Sequence, residues 1–184
     1  MEVLDAILTR RSVRNYKAEP VEEEKLSRVL EAARYAPSAQ NRQPWRFIVV
    51  RDSEVKKRIR SCYKRDWFLN TEPPVIIVAC AVPDEAWVKQ GRDYGEELFG
   101  DYWKVDVTLA MQNLIIAATA EGLGTCFIGG FNEHCLREVL GIPANMRVVA
   151  MTPLGYANEE PEETKRPRSR KSLDEIIIYD HFPN

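Results

Sequence analysis

The sequence predicts an α+β fold, and three observations predict it. Helical and strand-like segments mix along the chain without the strict alternation of a doubly wound sheet. The run Val75 to Val82 is apolar throughout, as in a strand buried on both faces. The segment Asp106 to Glu121 is apolar on nearly every side through Leu109, Met111, Leu114, Ile115, Ile116 and Ala117. A helix with no wet face must be covered, in a small protein by another subunit if its own domain does not suffice.

The elements follow in order. Glu2 to Thr9 reads as a short helix that ends at a cluster of arginines. Glu22 to Tyr35 is a clearer helix, with Leu26, Val29, Leu30 and Ala33 on one face. Phe47 to Val50 is a strand, after which Ser53 is placed to cap a helix running to about Cys62. From Trp87 to Trp103, aromatic residues (Trp87, Tyr94, Phe99, Tyr102, Trp103) interleave with charges. That stripe reads as irregular helix or lid, and equally as core or as a substrate-facing surface. Gly122 stops the long helix. Then come strand Thr125 to Ile128, helix Glu133 to Leu140 and strand Arg147 to Gly155. A polar tail with Pro161 and Pro167 leads to a last strand-like run, Ile176 to Tyr179, and no internal repeat is visible.

Composition sets limits on function. A chain of 184 residues is long enough for one domain with a sizeable core, and no linker divides it. The balance of 26 basic against 28 acidic residues argues against a protein built to coat nucleic acid or an anionic membrane. Cys62, Cys80, Cys126 and Cys135 form no CxxC pair, the pattern of reduced thiols in a cytoplasmic protein. His134 and His181 cannot make a His-rich metal site, and His134 reads as a residue near a helix N-terminus without catalytic duty. Glu2 and Asp5 break up the apolar N-terminus, which is no signal peptide, and the longest apolar runs fall short of a membrane span. The expectation is a single, soluble, metal-free domain.

Two segments carry the chemistry. Arg10-Arg11-Ser12-Val13-Arg14 packs three guanidiniums and a hydroxyl into five residues, a compact grip for a phosphate because Arg offers a planar fork of donors that never loses its charge. Alone, such a run is more often a solvated surface. Pro37-Ser38-Ala39-Gln40-Asn41-Arg42-Gln43-Pro44-Trp45 strings polar amides through a loop held by two prolines. Guanidiniums near an amide-rich loop suit a phosphorylated, polar-edged ligand such as a flavin nucleotide. No GxSxG elbow, P-loop or Cys/His pairing competes with that reading.

In this order and near the N-terminus, the two segments resemble the FMN-binding signature of the nitroreductase family. Three later segments extend the resemblance over essentially the whole chain. Asp106 to Leu114 running into Gly122-Leu123-Gly124-Thr125-Cys126 is similar to the family's central helix and the turn after it. Ile128-Gly129-Gly130-Phe131 resembles the backbone that passes over the flavin ring. Arg168-Ser169-Arg170-Lys171-Ser172-Leu173-Asp174-Glu175 is similar to the basic segment that closes on the FMN phosphate.

The resemblance implies a nitroreductase-like fold: a central, mainly antiparallel sheet flanked by helices, in a domain-swapped homodimer whose C-terminal strand joins the partner's sheet. It also implies roles. Arg10 and Ser12 hold the FMN phosphate and ribityl chain, with Arg11 contributing beside them. Arg14 lies near N1 and O2 of the ring, where a fixed cation stabilises the charge that appears on reduction. Ser38, Ala39 and Asn41 come from the opposite subunit. Gly129 and Gly130 offer backbone N–H groups to the N5 side, Gly129 standing where other members carry Glu. Arg168 and Arg170 complete the phosphate clamp. Between Asp66 and Glu72, Asn70 is a candidate for an amide over the ring.

The implied function is an FMN-dependent oxidoreductase, transferring hydride from NADH or NADPH to a nitroaromatic, quinone or similar electrophile by a ping-pong mechanism, with Arg14 and Gly129 at the ring. The alternatives are a family relative whose reduced FMN reacts with oxygen and is fragmented, and a flavin-binding or basic-tail interaction protein without turnover. Plainer readings stand beside the motifs. Cys126 is a small buried apolar residue, and the Lys165 to Lys171 run is a solvated tail.

Overall fold

The computed structural model describes residues 1–63, 65–87, 101–158 and 169–182. Tyr94 and Phe99 of the aromatic stripe, most of the basic tail and Arg168 lie outside the described residues.

Two of the first elements sit where the apolar spacing puts them, α1 (Val3–Thr9) and α2 (Glu23–Arg34), while β1 (Trp45–Val50) starts two residues ahead of the expected strand. Next comes α3 (Ser53–Ser61), whose first turn is capped not by Ser53 but by its neighbour, the Asp52 carboxylate, which accepts from the Val55 N–H at 2.8 Å. A short α4 (Asp66–Leu69) leads into β2 (Val75–Ala81). The long helix α5 (Tyr102–Ala120) ends before Gly122, which takes φ +76°, a conformation open to glycine at no steric cost. It begins four residues ahead of the expected start. Tyr102 stacks edge-on against Trp87 at 4.8 Å and Trp103 is buried, so these three aromatics belong to the packed body.

Beyond α5 lie β3 (Gly124–Thr125), α6 (Glu133–Leu140) and β4 (Arg147–Gly155). The strand expected over Thr125 to Ile128 is interrupted: β3 has two residues, and Ile128 rejoins the sheet by a single bridge to Met151. The C-terminal run also differs from expectation. Ile176 closes one helical turn, α7 (Leu173–Ile176), and the extended residues after it pair with no strand among the described residues.

The sheet is antiparallel, in the order β1-β2-β4-β3. Because side chains alternate across a strand, β2 feeds two cores at once. Val75, Ile77, Ala79 and Ala81 join α2 and α5, around Leu26, Val29, Met111 and Leu114. Ile76, Val78 and Cys80 join Ile59, Phe68, Leu136 and Met151 on the other face. That double service explains why β2 is buried at every position. On α5 the buried residues Trp103, Val107, Ala110, Met111, Leu114 and Ala118 form a stripe facing the sheet and α2. Val105 and Leu109 stay 51% and 40% exposed, so this chain leaves part of the helix uncovered.

One expectation fails outright. Cys62 and Cys135 are not reduced thiols but a disulfide that ties α3 to α6, with Cα atoms 5.6 Å apart. The pair stands 73 residues apart in sequence and is joined by helix packing, so no local spacing announces it. The argument from reduced thiols to the cytoplasm therefore falls away. Cys80 and Cys126 are free and buried. Among the described residues no helix is long and apolar enough to cross a membrane.

Candidate active site

The N-terminal arginine segment is laid along β3, at one edge of the sheet. Ser12 bridges Thr125, and the Val13 N–H donates to the Thr125 carbonyl at 2.8 Å. Val13 rests directly on Gly124, where a Cβ would come within 2.6 Å of its Cγ2, so only glycine admits the segment this close. The buried Tyr16 hydroxyl donates back to the Val13 carbonyl at 2.5 Å and locks the strand-like path.

This docking brings Ser12 and Arg14 beside the Cys126 thiol, with Arg10 near enough for its charge to be felt there. Burial pushes the thiol up; the charge of Arg14, a hydrogen bond from Ser12 and the charge of Arg10 pull it back. Cys126 is thus buried, as its apolar neighbours suggest, yet it floors a polar cluster. Arg11 takes a different path. Its Nη1 donates to the carbonyls of Leu8, Thr9 and Arg10 at 3.1, 3.2 and 3.0 Å, closing the C-terminal end of α1.

From Arg14 an aromatic path leads to the glycine turn. The Arg14 guanidinium lies 5.7 Å from the Trp67 ring centroid, within cation–π reach. Trp67 meets Tyr63 edge-on at 6.1 Å, and both pack on the buried Phe68. Tyr63 in turn borders Gly130, 3.8 Å from where a Cβ would sit. Gly129 and Gly130 are exposed, and the backbone between Ile128 and Phe131 is open to an approaching flat ligand. Of the residues 66–72, Trp67 is seated against Arg14, while Asn70 follows α4 as its C-cap and is exposed. No local pattern marks Trp67 out, since its role depends on α4 docking beside the N-terminal segment.

The amide loop lies elsewhere. Residues 38–43 lead into β1 at the opposite sheet edge, with β2 and β4 between them and the arginine strip. Three residues of the loop, Gln40, Asn41 and Gln43, have φ of 51°, 55° and 51°. The loop closes on itself through Asn41 N–H to the Ser38 carbonyl (2.9 Å) and Gln43 N–H to Ser38 Oγ (3.0 Å). The chain therefore brings Arg10, Ser12, Arg14, Gly129 and Gly130 to one edge and Ser38, Ala39 and Asn41 to the other. Arg170 donates to the carbonyl of its neighbour Ser169, and no hydrogen bond among the described residues joins it to Arg10 or Ser12. His134 sits in the first turn of α6, 3.3 Å from Glu138.

The fold is of the α+β class, a small antiparallel sheet set among helices. Within that class, the chain belongs to the nitroreductase family, whose profile matches residues 7–68 and 62–156. It is 35% identical over 165 residues, 88% of each chain, to a protein of Archaeoglobus fulgidus provisionally designated NADH dehydrogenase/NAD(P)H nitroreductase. It is 29% identical over 179 residues to a 5,6-dimethylbenzimidazole synthase of Rhodospirillum rubrum, covering 85% of this chain and 83% of that one. Among solved structures it resembles an FMN-dependent nitroreductase from Clostridium difficile, with a TM-score of 0.77 at 28% identity, over 96% of this chain and 99% of that one.

Proposed function

We propose that the chain is an FMN-dependent oxidoreductase, passing reducing equivalents from NADH or NADPH to a nitroaromatic, quinone or similar electrophile in ping-pong turnover. The observation that carries this is the strip of Arg10, Ser12 and Arg14 around Cys126, continued through Trp67 and Tyr63 to the open turn at Gly129 and Gly130. Its residues fit the cofactor: fixed cations and a hydroxyl for a phosphate, then side-chain-free backbone for a flat ring.

When bound, FMN supplies hydride transfer at N5. Arg10 and Ser12 would hold the phosphate and ribityl chain, and Arg168 and Arg170 are proposed to add charge to the same phosphate. Arg14, steadied by Trp67, would set a cation near N1 and O2, a charge that needs no reorganisation at the moment of reaction. Gly129 and Gly130 would offer backbone N–H groups to the N5 side.

In this reading the enzyme is a homodimer. The strip and the loop of residues 38–41 stand at opposite sheet edges of one chain, so each site takes its loop from the other subunit. β1 is an edge strand, and such edges are normally covered. The exposed apolar residues Leu173, Ile176, Ile177, Ile178, Tyr179 and Phe182 supply a segment to cover the edge of the partner's sheet.

The test is the visible spectrum of the purified protein before and after NADH or NADPH is added without oxygen. A yellow protein with about one FMN per subunit, bleached by nicotinamide and restored by a nitroaromatic or quinone, supports the proposal. A protein that takes up no FMN overturns it. Irreversible loss of flavin under air points to the fragmenting relative, and bound FMN that no nicotinamide reduces points to a binding protein.

A further inference from the structure

Asp106 is the buried charge that the site leaves unexplained. It is 2% exposed near the start of α5. Its Oδ1 accepts from the Ala39 N–H at 3.0 Å, while among the described residues Oδ2 meets no hydrogen-bond donor. A carboxyl buried with one oxygen unpaired is costly, and an apolar residue would pack there without that cost. Burial also holds its pKa above the ordinary carboxylate range, only partly offset by the Ala39 N–H.

What the carboxyl holds is the loop with three residues at positive φ, a backbone state that residues with side chains adopt rarely and that must be held by its surroundings. The other hydrogen bonds of residues 38–43 among the described residues stay within the loop; the bond from Ala39 to Asp106 anchors it to the core.

We propose that Asp106 is a positioning residue for cofactor binding: from the core of its own subunit it fixes the strained loop in the pose with which that loop completes the FMN site of the other subunit. This rests on the reading above that residues 38–41 contact FMN across a homodimer.

The first experiment titrates FMN into flavin-free protein. Asp106→Leu removes the acceptor and fills the space, and should weaken FMN binding about tenfold or more. Asp106→Asn keeps an acceptor at Oδ1 and should stay within about threefold of the parent. In the flavin-free state, trypsin should cut after the exposed Arg42 faster in Asp106→Leu than in the parent. Equal losses in the Asn and Leu variants, or no loss in Leu, would overturn the proposal. Should Asp106→Leu fail to fold, Ala39→Pro deletes the same bond from the loop side. Ser38 is already extended at φ −139°, ψ 155°, as a residue before proline prefers, and the same weakening is expected.

The second experiment pairs a subunit carrying Asp106→Leu with one carrying Arg10→Ala. If the loop acts across the dimer, both defects fall in one site and the other keeps native affinity, so half the sites fill at parental FMN concentrations. If no site retains native affinity, Asp106 does not act in trans. Ser38→Ala and Asn41→Ala separate the two failures. If they leave FMN binding untouched, the loop-to-FMN reading fails; if they weaken it and Asp106→Leu does not, only the role of Asp106 fails.

Discussion

Gly124 and Val13 show how little room the site leaves at single residues. A methyl at 124 would press on a β-branched side chain that cannot swing away. Gly124→Ala should therefore cost about 2 kcal/mol in urea unfolding and loosen FMN, because Ser12 and Arg14 flank the displaced residue. Unchanged stability and affinity would mean that residues 10–14 are not seated on β3. Arg14→Gln tests charge instead of space. Deleting the cation should lower the flavin midpoint potential by roughly 30 mV or more, the equivalent of about 1.4 kcal/mol in a two-electron couple, with little change in unfolding. A potential that does not move would remove Arg14 from the ring. These residues were legible as candidates in the sequence because their chemistry is local: guanidiniums, a hydroxyl and glycines in short runs. Trp67 and Asp106 were not. A tryptophan under an arginine and an aspartate under a loop acquire meaning only when distant segments pack.

Elements were legible in proportion to how far their own pattern decides them. β2 announced itself by eight apolar residues, and α2 by its one-faced spacing. β3 and the C-terminal run read less well, because pairing depends on which neighbouring strand is present. The cap of α3 fell one residue from the expected serine, a contest between adjacent polar side chains that geometry settled for Asp52. The junction of α6 with β4 gives a pH prediction. Arg147 binds both carboxylate oxygens of Glu133 at 2.8 and 2.9 Å, and the Val148 N–H adds a bond at 3.0 Å. The Arg147 hydrogen bonds hold this carboxyl below its usual range, against a smaller opposing effect of burial. A carboxyl depressed in the folded state stabilises the fold above its unfolded value, and that contribution disappears as pH falls through the folded value. Unfolding midpoints should therefore drop below roughly pH 4, and Glu133→Gln should flatten that part of the profile while lowering stability at neutral pH. An identical acid limb in the variant would assign the loss to other groups.

At the scale of the whole molecule, the exposed apolar surfaces are what a second copy would cover in the homodimer proposed above. Val3, Leu4, Ile7 and Leu8 on α1 and Leu109 on α5 stand open alongside the C-terminal run. Removing everything after Lys171 should give a monomer by sedimentation and a protein that retains little FMN. A truncated dimer with full flavin would place the interface elsewhere. The sequence pointed to association through α5, whose apolar residues exceed what one neighbouring sheet can cover, whereas the separation of loop and arginine strip across four strands is visible only in the folded chain.

The bridge between Cys62 and Cys135 has a topological consequence. It converts the chain from α4 to the first turn of α6 into a covalent ring, with the arginine strip and the amide loop on the tail that precedes it and the rest of α6 and β4 on the tail that follows. Closing a ring over 73 residues restricts the unfolded chain by about 4 kcal/mol in the chain-entropy model. It also changes what a single break in the backbone does. A nick anywhere inside the ring leaves one molecule, with both tails still joined through sulfur and released as two pieces only by a reductant. A nick in either tail separates the chain at once. The part of the protein that carries Trp67, Asp106 and both glycines of the turn is therefore tolerant of cutting, and the arginine strip is not.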